Sequence, residues 1–538
     1  MTSDTSYLDP SRPWVIGDFI RDKALRNGDR PAVEVGGRTR SYADLDRESD
    51  RVAAGLEGLG LDVGERASLM MVNSVENIDV WFAMCKSGIV EVPINTANRG
   101  YLLQYIIDQS ESRALVVDEE FVDRVAVVAD QLPRLDHVVV NRTSSGSLGV
   151  EFPARIAVHD LADLYVDAAP PRPELLPSST AVILYTSGTT GPSKGVVLPH
   201  AMNLTAARHT VWLSRYTSDD RLYTVFPLFH INAKYTSVMA AMAADAELIM
   251  DARFSASSFF DTCREREITA FNYQGALLTM LMKQPERPDD ADNPVRVAFG
   301  APAPVEIWRA FEERFGLRLV EVYGMTETAT SLMNTLDDTR LGSAGKPVAH
   351  FQVEIHDEND QPCPPGVPGE IVVRPKFPDV MIREYFGMPE ASLAAFRNLW
   401  FHTGDRGRTD EDGYFYFIDR MKDAIRRRGE NISSFEVERV VNTHDAVLES
   451  AAYGVPSELS EEEVMIAVVV KPDHDLDPVD LLDHCQDQMA YFAVPRYVRF
   501  VEELPKTPSQ RIQKYKLRED GMTADTWDRE VHGYEIRR

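Results

Sequence analysis

The sequence predicts an α/β protein: a large N-terminal domain with parallel α/β sheets and a β-rich subdomain, then a small α+β C-terminal domain. Up to about residue 340, short β-rich runs alternate with helical segments, as parallel strands joined by helices do. From there, polar and apolar residues alternate between turns rich in proline and glycine, which is typical of antiparallel hairpins. The rest, about 115 of the 538 residues, is long enough for an independent domain.

The domain boundaries follow from these changes in pattern. We expect the N-terminal domain at residues 1–419, with its β-rich subdomain at about 340–419, and the C-terminal domain at residues 420–538. The boundary lies between Asp419 and Lys422, where an aromatic strand passes into a charged turn.

One helix and the strands of the large domain have clear local signals. Ser41 and Asp44 form a capping pair, and apolar residues at helical spacing follow them as far as Gly60. This pattern predicts an amphipathic helix. The predicted strands are the runs ASLMMV, RALVV, HVVVN, AVILY, LYTVF, AELIM, ITAFNY, VRVAF and LRLVEVY.

Charge excludes some classes of partner. Lys and Arg number 57 and Asp and Glu 85, which gives a formal net charge of −28. A nucleic-acid backbone or an anionic membrane would be repelled, so we expect neither as a partner. An anionic substrate would need a local basic pocket.

The cysteines and the N-terminus indicate the compartment. The four cysteines lie far apart without a CxxC pair, so neither a zinc site nor a disulfide framework is predicted. The N-terminus lacks a basic start followed by an apolar run, and the longest apolar runs are too short to span a bilayer. We therefore expect a soluble, cytoplasmic protein.

The stretch ILYTSGTTGPSKGVVLPH, residues 183–200, predicts a polyphosphate site. A strand leads into a loop of glycines and small hydroxylated residues, and Lys194 follows. Glycines let backbone N–H groups converge on an anion, hydroxyls add donors, and the lysine supplies a positive charge. The spacing differs from that of P-loop NTPases, because Gly191 is followed by Pro192 and Ser193 before the lysine. A flexible surface hairpin is the alternative.

The whole loop resembles the signature of the adenylate-forming enzymes, which include acyl-CoA synthetases, firefly luciferase and nonribosomal peptide adenylation domains. Six further motifs occur in the order of that superfamily and spread the resemblance over nearly the entire chain: FPLFH, FGAPAP, VYGMTET, FHTGDRG, DRMKDAIRRRGENIS and LPKTPSQRIQK. The chain is most like an acyl-CoA ligase. The resemblance implies that a carboxylate attacks the α-phosphate of ATP and that a thiol then displaces AMP, with Mg²⁺ and CoA as the other cofactors.

The resemblance also implies the phosphate and metal site. The β- and γ-phosphates would be held by Thr186, Ser187, Gly188, Thr189, Thr190, Gly191 and Lys194. In the motif that contains Gly324 and Met325, Thr326 would contact the α-phosphate and Glu327 would help to bind Mg²⁺. A capping acid at the start of a helix is the alternative for Glu327.

The nucleoside site is implied in the same way. The small residues Gly300, Ala301 and Pro302 would lie against adenine, Tyr323 would stack on its other face, and Glu321 would accept a hydrogen bond from the exocyclic amine. Asp405 would bind both ribose hydroxyls, with Arg420 assisting.

The remaining implied residues concern the thiol and the motion between half-reactions. His230 would gate the carboxylate and the thiol route, although a histidine in the core is the alternative. Lys422 would be the hinge about which a mobile small domain rotates. Arg428 and Gly429 would line the pantetheine passage, with the neighbouring arginines on the CoA phosphates; the alternative is a solvated helix face.

The closing motif departs from the superfamily's pattern at its decisive position. Relatives carry P-K-T-x-x-G-K, whose last lysine bridges the acyl carboxylate and the α-phosphate, whereas this chain has Gln510 and Arg511 there. A planar, forked guanidinium is a poor replacement for a compact ammonium between two anions. We therefore expect either a weak or absent adenylation step with thioesterification of a supplied acyl-AMP retained, or a full ligase in which Arg511 or Lys514 substitutes.

Several readings of function stay open at this point. The first is an acyl-CoA ligase, with a separate adenylating enzyme as partner if the half-reaction is lost. The others are a carrier-protein loading enzyme, a luciferase-like oxygenase and a catalytically silent nucleotide-binding relative. Residues 230–235, 272–276 and 325–331 are candidates for the acyl pocket, in which Gly275, Ala276 and Ala329 leave room for a bulky acid.

Overall fold

The structure is a computed structural model that describes residues 4–144, 146–186, 192–420, 424–457, 461–505 and 512–537. We call residues 4–420 the large domain and residues 424–537 the small domain. The helices are α1 Ile16–Asn27, α2 Tyr42–Gly58, α3 Val75–Ser87, α4 Gly100–Gln109, α5 Val122–Val128, α6 His200–Ser214, α7 Ile231–Ala233, α8 Met239–Ala243, α9 Phe259–Glu265, α10 Gly275–Met282, α11 Val305–Phe315, α12 Pro389–Ala395, α13 Ser434–Val441, α14 Pro478–Gln486 and α15 Lys514–Asp520. A π-helical turn, Lys234–Val238, joins α7 to α8.

The strands include one at each of the nine predicted β-rich runs. They are β1 Pro31–Val35, β2 Arg38–Ser41, β3 Arg66–Met70, β4 Val90–Pro93, β5 Ala114–Asp118, β6 His137–Asn141, β7 Ala157–Asp160, β8 Thr180–Thr186, β9 Lys194–Pro199, β10 Arg221–Thr224, β11 Glu247–Met250, β12 Ala270–Tyr273, β13 Val297–Gly300, β14 Arg318–Met325, β15 Ala329–Met333, β16 Lys346–Pro347, β17 Phe351–His356, β18 Gly369–Pro375, β19 Phe396–Arg397, β20 Trp400–Thr409, β21 Phe415–Arg420, β22 Ala424–Arg427, β23 Glu430–Ser433, β24 Val447–Pro456, β25 Glu462–Val470, β26 Tyr497–Phe500 and β27 Trp527–Asp528.

Two large, mostly parallel sheets form the body of the large domain. One has the order β16-β15-β14-β13-β12-β10-β11-β1-β2 and the other the order β7-β6-β5-β3-β4-β8-β9. The inner pairs are parallel, and antiparallel pairs such as β14 with β15 and β8 with β9 lie at the edges. The predicted α/β class with parallel sheets is confirmed.

Helix α3 fills the space between the two sheets. It contacts β1 of the first sheet and β3 and β4 of the second, and all of its residues except Glu76 are buried. Trp81 and Phe82 at its centre are fully buried, with ring centroids 4.7 Å apart. Helix α2, which starts with the predicted capping box of Ser41 and Asp44, packs along α3.

Smaller antiparallel sheets follow. Strands β17, β18, β20 and β19 form a sheet in that order, and β21 extends it from β20, so the region after residue 350 is β-rich as expected. The small domain holds the hairpin β22-β23 and the sheet β24-β25-β26-β27, around its own core. The proposed hinge Lys422 lies outside the described residues, so the boundary stays a prediction. Among the residues described, no helix is both long enough and apolar enough to cross a membrane.

Candidate active site between the two domains

Four of the sequence motifs, those that contain Thr186, His230, Thr326 and Gly429, contribute to one cavity between the two domains, whereas the predicted adenine and ribose residues Gly300, Ala301, Pro302, Glu321, Tyr323 and Asp405 are not in its wall. The cavity has a volume of about 280 Å³, and both domains contribute to its wall. The large domain supplies, among others, Tyr101, Thr186, Ser193, His230, Asn232, Gln274 and Thr326. The small domain supplies, among others, Gly429, Glu430, Ser433, Glu436, Val437, Met489 and Phe492. Motifs that lie more than two hundred residues apart in sequence therefore face one space.

The ends of the predicted phosphate loop are set by an antiparallel pair of strands. Thr186, the last residue of β8, pairs with Lys194, the first of β9. The Lys194 ammonium lies 4.6 Å from the centre of the Tyr385 ring, a cation–π distance. Ser187, Gly188, Thr189, Thr190 and Gly191 lie outside the described residues, so their part in the loop stays a prediction.

Glu327 lies in the turn between β14 and β15, not at the start of a helix, so the alternative of a helix-capping acid is wrong. Its carboxylate is buried and accepts a hydrogen bond of 2.9 Å from the Tyr385 hydroxyl. Burial first, and then the nearby Glu327 charge, raise the pKa of Tyr385. Lys194, Tyr385 and Glu327 thus form one array, which the sequence motifs did not reveal because Tyr385 belongs to none of them.

The predicted metal site has one carboxylate donor, that of Glu327. Within the described part of the chain, no group of three or more His, Cys, Asp or Glu side chains is arranged to hold a metal ion. Mg²⁺ commonly binds through one or two carboxylates together with substrate phosphates and water. The single carboxylate of Glu327, near Thr326 on the cavity wall, fits that mode.

Glycine is required at two motif positions by close backbone contacts. A Cβ atom on Gly300 would lie 2.0 Å from the Tyr273 carbonyl oxygen, and one on Gly324 would lie 1.5 Å from the Ala329 carbonyl oxygen. Both contacts are far shorter than real Cβ contacts. The glycines therefore hold β13 and β14 in place beside the predicted adenine site, next to Ala301 and Pro302.

Glu321 has a partner in the protein. Its Oε1 accepts a hydrogen bond of 3.2 Å from the backbone N–H of Ala303, two positions after Ala301. Burial raises the pKa of Glu321 to about 8, and the Ala303 amide opposes this only in part. The Glu321 carboxyl group, which the motif assigns to adenine, thus also binds the backbone of residues 300–303.

Asp405 and Tyr323, assigned to ribose and adenine, contact each other. The Tyr323 hydroxyl donates a hydrogen bond of 2.7 Å to Asp405 Oδ2, and Asp405 is buried. Along the backbone, Asp405 in β20 lies opposite Arg420 in β21. The two nucleoside motifs, 82 residues apart, are therefore joined directly.

His230 contacts the small domain. Its Nε2 lies 3.3 Å from Glu430 Oε1, and its ring is stacked edge-on against Phe229. Burial lowers the pKa of His230, but the Glu430 charge and hydrogen bond together outweigh it, so the net shift is upward. The alternative of a histidine satisfied in the core is wrong, because the side chain is on the cavity wall and 39% exposed.

Gly429 and Arg428 face different spaces. Gly429 has φ +85 and packs so tightly on Gln274 of the large domain that a Cβ would lie 2.0 Å from Gln274 Oε1. Arg428 instead lines a second cavity of about 750 Å³, whose wall includes Arg427, Glu430, Tyr491, Phe492, Arg529 and Tyr534. The alternative of a solvated helix face is wrong about the helix, because β22 is a strand. Arg427 at its end is buried and pairs with Glu463 at 2.5 Å, whereas Arg426 and Arg428 are exposed.

Helix α13 makes the contacts that sequence reasoning missed. Glu436 accepts a hydrogen bond of 3.0 Å from the Ser193 N–H and a second from the Ser193 hydroxyl, next to Lys194. Arg439, one turn on, donates to the Tyr101 hydroxyl at 2.6 Å. The only local signal for Glu436 is an acid in the first turn of a helix, and such acids are common for helical reasons alone.

Two predicted residues of the closing motif cannot be placed. Gln510 and Arg511 lie outside the described residues. Lys514, the alternative cation, is bound within the small domain: its Nζ lies 2.7 Å from Ser434 Oγ and 2.6 Å from Glu438 Oε1. Among the proposed acyl-pocket residues, Lys234 and Tyr235 are fully buried and do not line the cavity, whereas Asn232 does.

The nucleotide motifs lie in a large α/β domain, and a small domain is docked across the cavity. This arrangement is that of a two-domain enzyme that uses a nucleotide. A family model described as AMP-binding enzyme matches residues 20–386, and one for the AMP-binding enzyme C-terminal domain matches residues 436–511. The chain belongs to the AMP-binding enzyme family. This confirms the resemblance to adenylate-forming enzymes and the prediction that the chain is an enzyme; ligases of this family use ATP, CoA and Mg²⁺.

Relatives and solved structures give the same class. The chain is 32% identical over 486 residues to a crotonobetaine/carnitine–CoA ligase of Salmonella typhi, covering 89% of this chain and 93% of that protein. It resembles the anthranilate CoA ligase AuaEII in complex with anthranoyl-AMP, with TM-score 0.71, 25% identity and coverage of 96% and 99%. For the fold alone, o-succinylbenzoate CoA synthetase from Bacillus subtilis matches with TM-score 0.80, 24% identity and coverage of 94% and 98%.

Proposed function

We propose that the protein is an acyl-CoA ligase that works through an acyl-adenylate. In the first step a carboxylate oxygen bonds to the α-phosphorus of ATP and the bond to pyrophosphate breaks. In the second step the CoA thiol loses its proton, its sulfur bonds to the acyl carbon, and AMP leaves. The observation that carries the proposal is the cavity between the domains, where Thr186 and Thr326 of the nucleotide motifs face Gly429 and His230.

The large domain has the groups that the first step needs. An anionic nucleophile must approach a polyanion, so positioning and charge neutralisation supply most of the catalysis. Lys194 supplies positive charge, Thr186 and Thr326 supply hydroxyl donors, and Asp405 accepts from the ribose hydroxyls. Mg²⁺, held by Glu327 and the phosphates, supplies further neutralising charge when bound.

The contacts between the domains favour the second step in the described arrangement. Glu430 and Phe492 line both the central cavity and the second, arginine-bearing cavity, so the two spaces adjoin. We assign the second cavity to the nucleotide end of CoA, where Arg428, whose side chain is 54% exposed, offers a phosphate partner. The pantetheine arm would then pass Gly429 and bring its thiol to His230.

The closing motif bears on the first step. Arg511 in place of a lysine is expected to lose one transition-state contact, which costs about 2.7 to 4 kcal/mol, or about 10² to 10³ in rate, by analogy with a removed oxyanion donor. Lys514, bound by Glu438, would have to leave that partner in order to substitute. We propose that adenylation is weak and that a separate adenylating enzyme supplies acyl-AMP, while thioesterification is retained.

Comparing the half-reactions tests both parts of the proposal. A panel of carboxylic acids is incubated with ATP and Mg²⁺ and pyrophosphate release is measured; the matching synthetic acyl-AMPs are incubated with CoA and thioester is measured. We expect rapid thioester formation with one acyl class, slow pyrophosphate release with the same acid, and a gain of about 10² in release for Arg511→Lys.

The outcomes separate the claims. Robust pyrophosphate release by the unmodified protein would remove the half-enzyme proposal and leave a full ligase. Absence of thioester from every acyl-AMP would contradict the ligase itself and favour a silent nucleotide-binding protein. Thioester formation on a phosphopantetheinyl carrier protein but not on CoA would identify a carrier-loading enzyme.

A further inference from the structure

A short segment of the large domain, residues 382–386, joins its two large sheets; we call it the bridging segment. The last residue of the bridging segment donates its N–H to the Gly195 carbonyl oxygen of β9 at 2.7 Å, and Tyr385 forms an isolated β-bridge with Val196. The first residue of the segment donates its N–H to the Glu327 carbonyl oxygen at 2.7 Å. The backbone therefore fixes Tyr385 against β9 of the second sheet and against the turn between β14 and β15 of the first.

The Tyr385 side chain contacts two charged groups through different atoms. Its hydroxyl donates a hydrogen bond of 2.9 Å to Glu327 Oε1, and the Lys194 ammonium lies 4.6 Å from the centre of its ring. The side chain is only 5% exposed, so water competes little with either contact. A hydrogen bond to one oxygen of a carboxylate sets the orientation in which the group can meet a metal ion. One aromatic side chain thus orients both the acid and the base.

We propose that Tyr385 is a positioning residue for metal-bound ATP: its hydroxyl orients the Glu327 carboxylate for Mg²⁺, and its ring holds the Lys194 ammonium for the phosphates. The inference rests on the proposed function, in which Glu327 and the phosphates hold Mg²⁺. A group that hydrogen-bonds to a metal ligand commonly contributes about 10- to 100-fold to metal affinity, because it fixes the orientation of that ligand. The face of a tyrosine ring restrains an ammonium in a similar way.

ATP binding in the absence of the acid substrate measures this positioning without turnover. Calorimetry gives the dissociation constant of ATP over a series of Mg²⁺ concentrations and in EDTA, so the Mg²⁺ dependence is obtained from binding alone. Electron paramagnetic resonance of Mn²⁺, used in place of Mg²⁺, reports on the bound ion directly.

Two substitutions separate the hydroxyl from the ring. Tyr385→Phe removes only the hydroxyl, so the Mg²⁺ concentration at which ATP affinity is half-way to its full value should rise by about 10- to 100-fold. ATP affinity in EDTA should be unchanged, because the ring still holds Lys194. Tyr385→Leu removes the ring as well, so the affinity in EDTA should also fall, by about 2- to 30-fold. If Tyr385→Leu does not fold, Tyr385→Phe alone decides.

The chain offers a matched control. Tyr223 of β10 is also 5% exposed, and its hydroxyl donates a hydrogen bond of 2.8 Å to a carboxylate, that of Asp251. It does not line the cavity between the domains. Tyr223→Phe removes a hydrogen bond of the same kind, and it should change neither the Mg²⁺ dependence nor the ATP affinity in EDTA.

A double variant tests whether the hydroxyl acts through the acid. Added to Glu327→Ala, Tyr385→Phe should cause no further change in Mg²⁺ dependence, and a further change would overturn the proposal. An equal loss of ATP affinity with and without Mg²⁺ in Tyr385→Phe would also overturn it, since the residue would then only support the fold. So would a Tyr385→Phe protein that binds exactly as the unmodified one does.

Failure of the proposed function has a different result. If the unmodified protein binds no ATP, or binds it without dependence on Mg²⁺, the proposed metal role of Glu327 fails and the inference fails with it. Thioester formation from acyl-AMP and CoA then shows whether the ligase itself is still correct, because that step is measured without ATP.

Discussion

Glu321 is a buried acid whose ionisation costs stability. Its side chain is 9% exposed, and its one hydrogen bond given by the structure, from the Ala303 amide, does not offset the loss of water around the charge. Burial therefore raises the pKa from 4.5 to about 8. A carboxyl group with a raised pKa binds protons more tightly in the folded chain, so folding is favoured at low pH.

This shift predicts how stability depends on pH. The contribution of Glu321 is fully present below about pH 4.5, falls as the pH rises towards 8, and is constant above that. Between pH 5 and 8, the free energy of unfolding should fall by roughly 3 kcal/mol relative to Glu321→Gln, which has no such proton. Urea unfolding of both proteins at several pH values measures the difference. Glu313→Gln, at an exposed position of α11, is the matched control. Parallel curves for wild type and Glu321→Gln would contradict the prediction.

Sequence reasoning identified residue types better than residue partners. The motifs gave Glu321, Glu327 and Asp405 as acids near a nucleotide, because short motifs fix local chemistry. Their partners lie 18, 58 and 82 residues away, at Ala303, Tyr385 and Tyr323. Packing of the sheets brings these residues together, and local sequence patterns do not predict that packing.

At the scale of elements, helix α7 contributes to one wall of the cavity. Asn232 in α7 lines the cavity and accepts a hydrogen bond of 2.9 Å from Asn272 in β12. In the π-helical turn that follows, the Lys234 ammonium lies 2.5 Å from Glu91 Oε1 of β4 and 3.9 Å from the centre of the Trp81 ring. A buried ion pair thus ties this wall to the second sheet and to α3.

The ion pair predicts a characteristic pattern of stability. Both side chains are completely buried, so Lys234→Met leaves the Glu91 charge without its cation and should cost about 3 to 5 kcal/mol. The double variant Lys234→Met with Glu91→Leu should recover most of that loss, because it leaves no buried charge. Urea unfolding gives both values. Arg26→Met, which breaks an exposed pair with Asp22, is the control and should cost less than about 1 kcal/mol. A double variant that is as unstable as the single one would contradict this account.

Elements were predictable where their signals are local. The capping box of Ser41 and Asp44 and the strands at the β-rich runs were expected and are present. The π-helical turn was not expected; its first residue, Lys234, contacts Glu91, which lies 143 residues away in sequence. The run Arg426–Arg428 also did not predict the hairpin of β22 and β23. Arg427 pairs with Glu463 in β25, and no local pattern indicates that contact.

At the scale of the whole molecule, the contacts that the described residues make between the domains include four that join particular side chains or backbone. Gly429 rests on Gln274, Glu430 meets His230, Glu436 enters the loop at Ser193, and Arg439 meets Tyr101. Two of these four involve a carboxyl group of the small domain. Interfaces with polar contacts between domains of one chain separate readily. This property suits a small domain that is expected to occupy different positions in the two half-reactions.

Gly429 should control docking without affecting the first step. An alanine there meets two obstacles: a Cβ 2.0 Å from Gln274 Oε1, and a φ of +85 that L-residues adopt at a cost of about 1 to 2 kcal/mol. Gly429→Ala should therefore reduce thioester formation from acyl-AMP and CoA by more than about 10²-fold. Pyrophosphate release should be unchanged, since it does not use this arrangement.

A second substitution separates the two obstacles. Gln274→Ala added to Gly429→Ala removes the clash but not the backbone cost, so thioester formation should recover to within about 5- to 30-fold of wild type. Gly413→Ala, at φ +78 with nothing near its Cβ, controls for backbone strain alone and should leave thioester formation intact. If the double variant is no faster than Gly429→Ala, the contact with Gln274 is not what brings the small domain onto the cavity. If both half-reactions fall together in Gly429→Ala, the two steps share one arrangement of the domains.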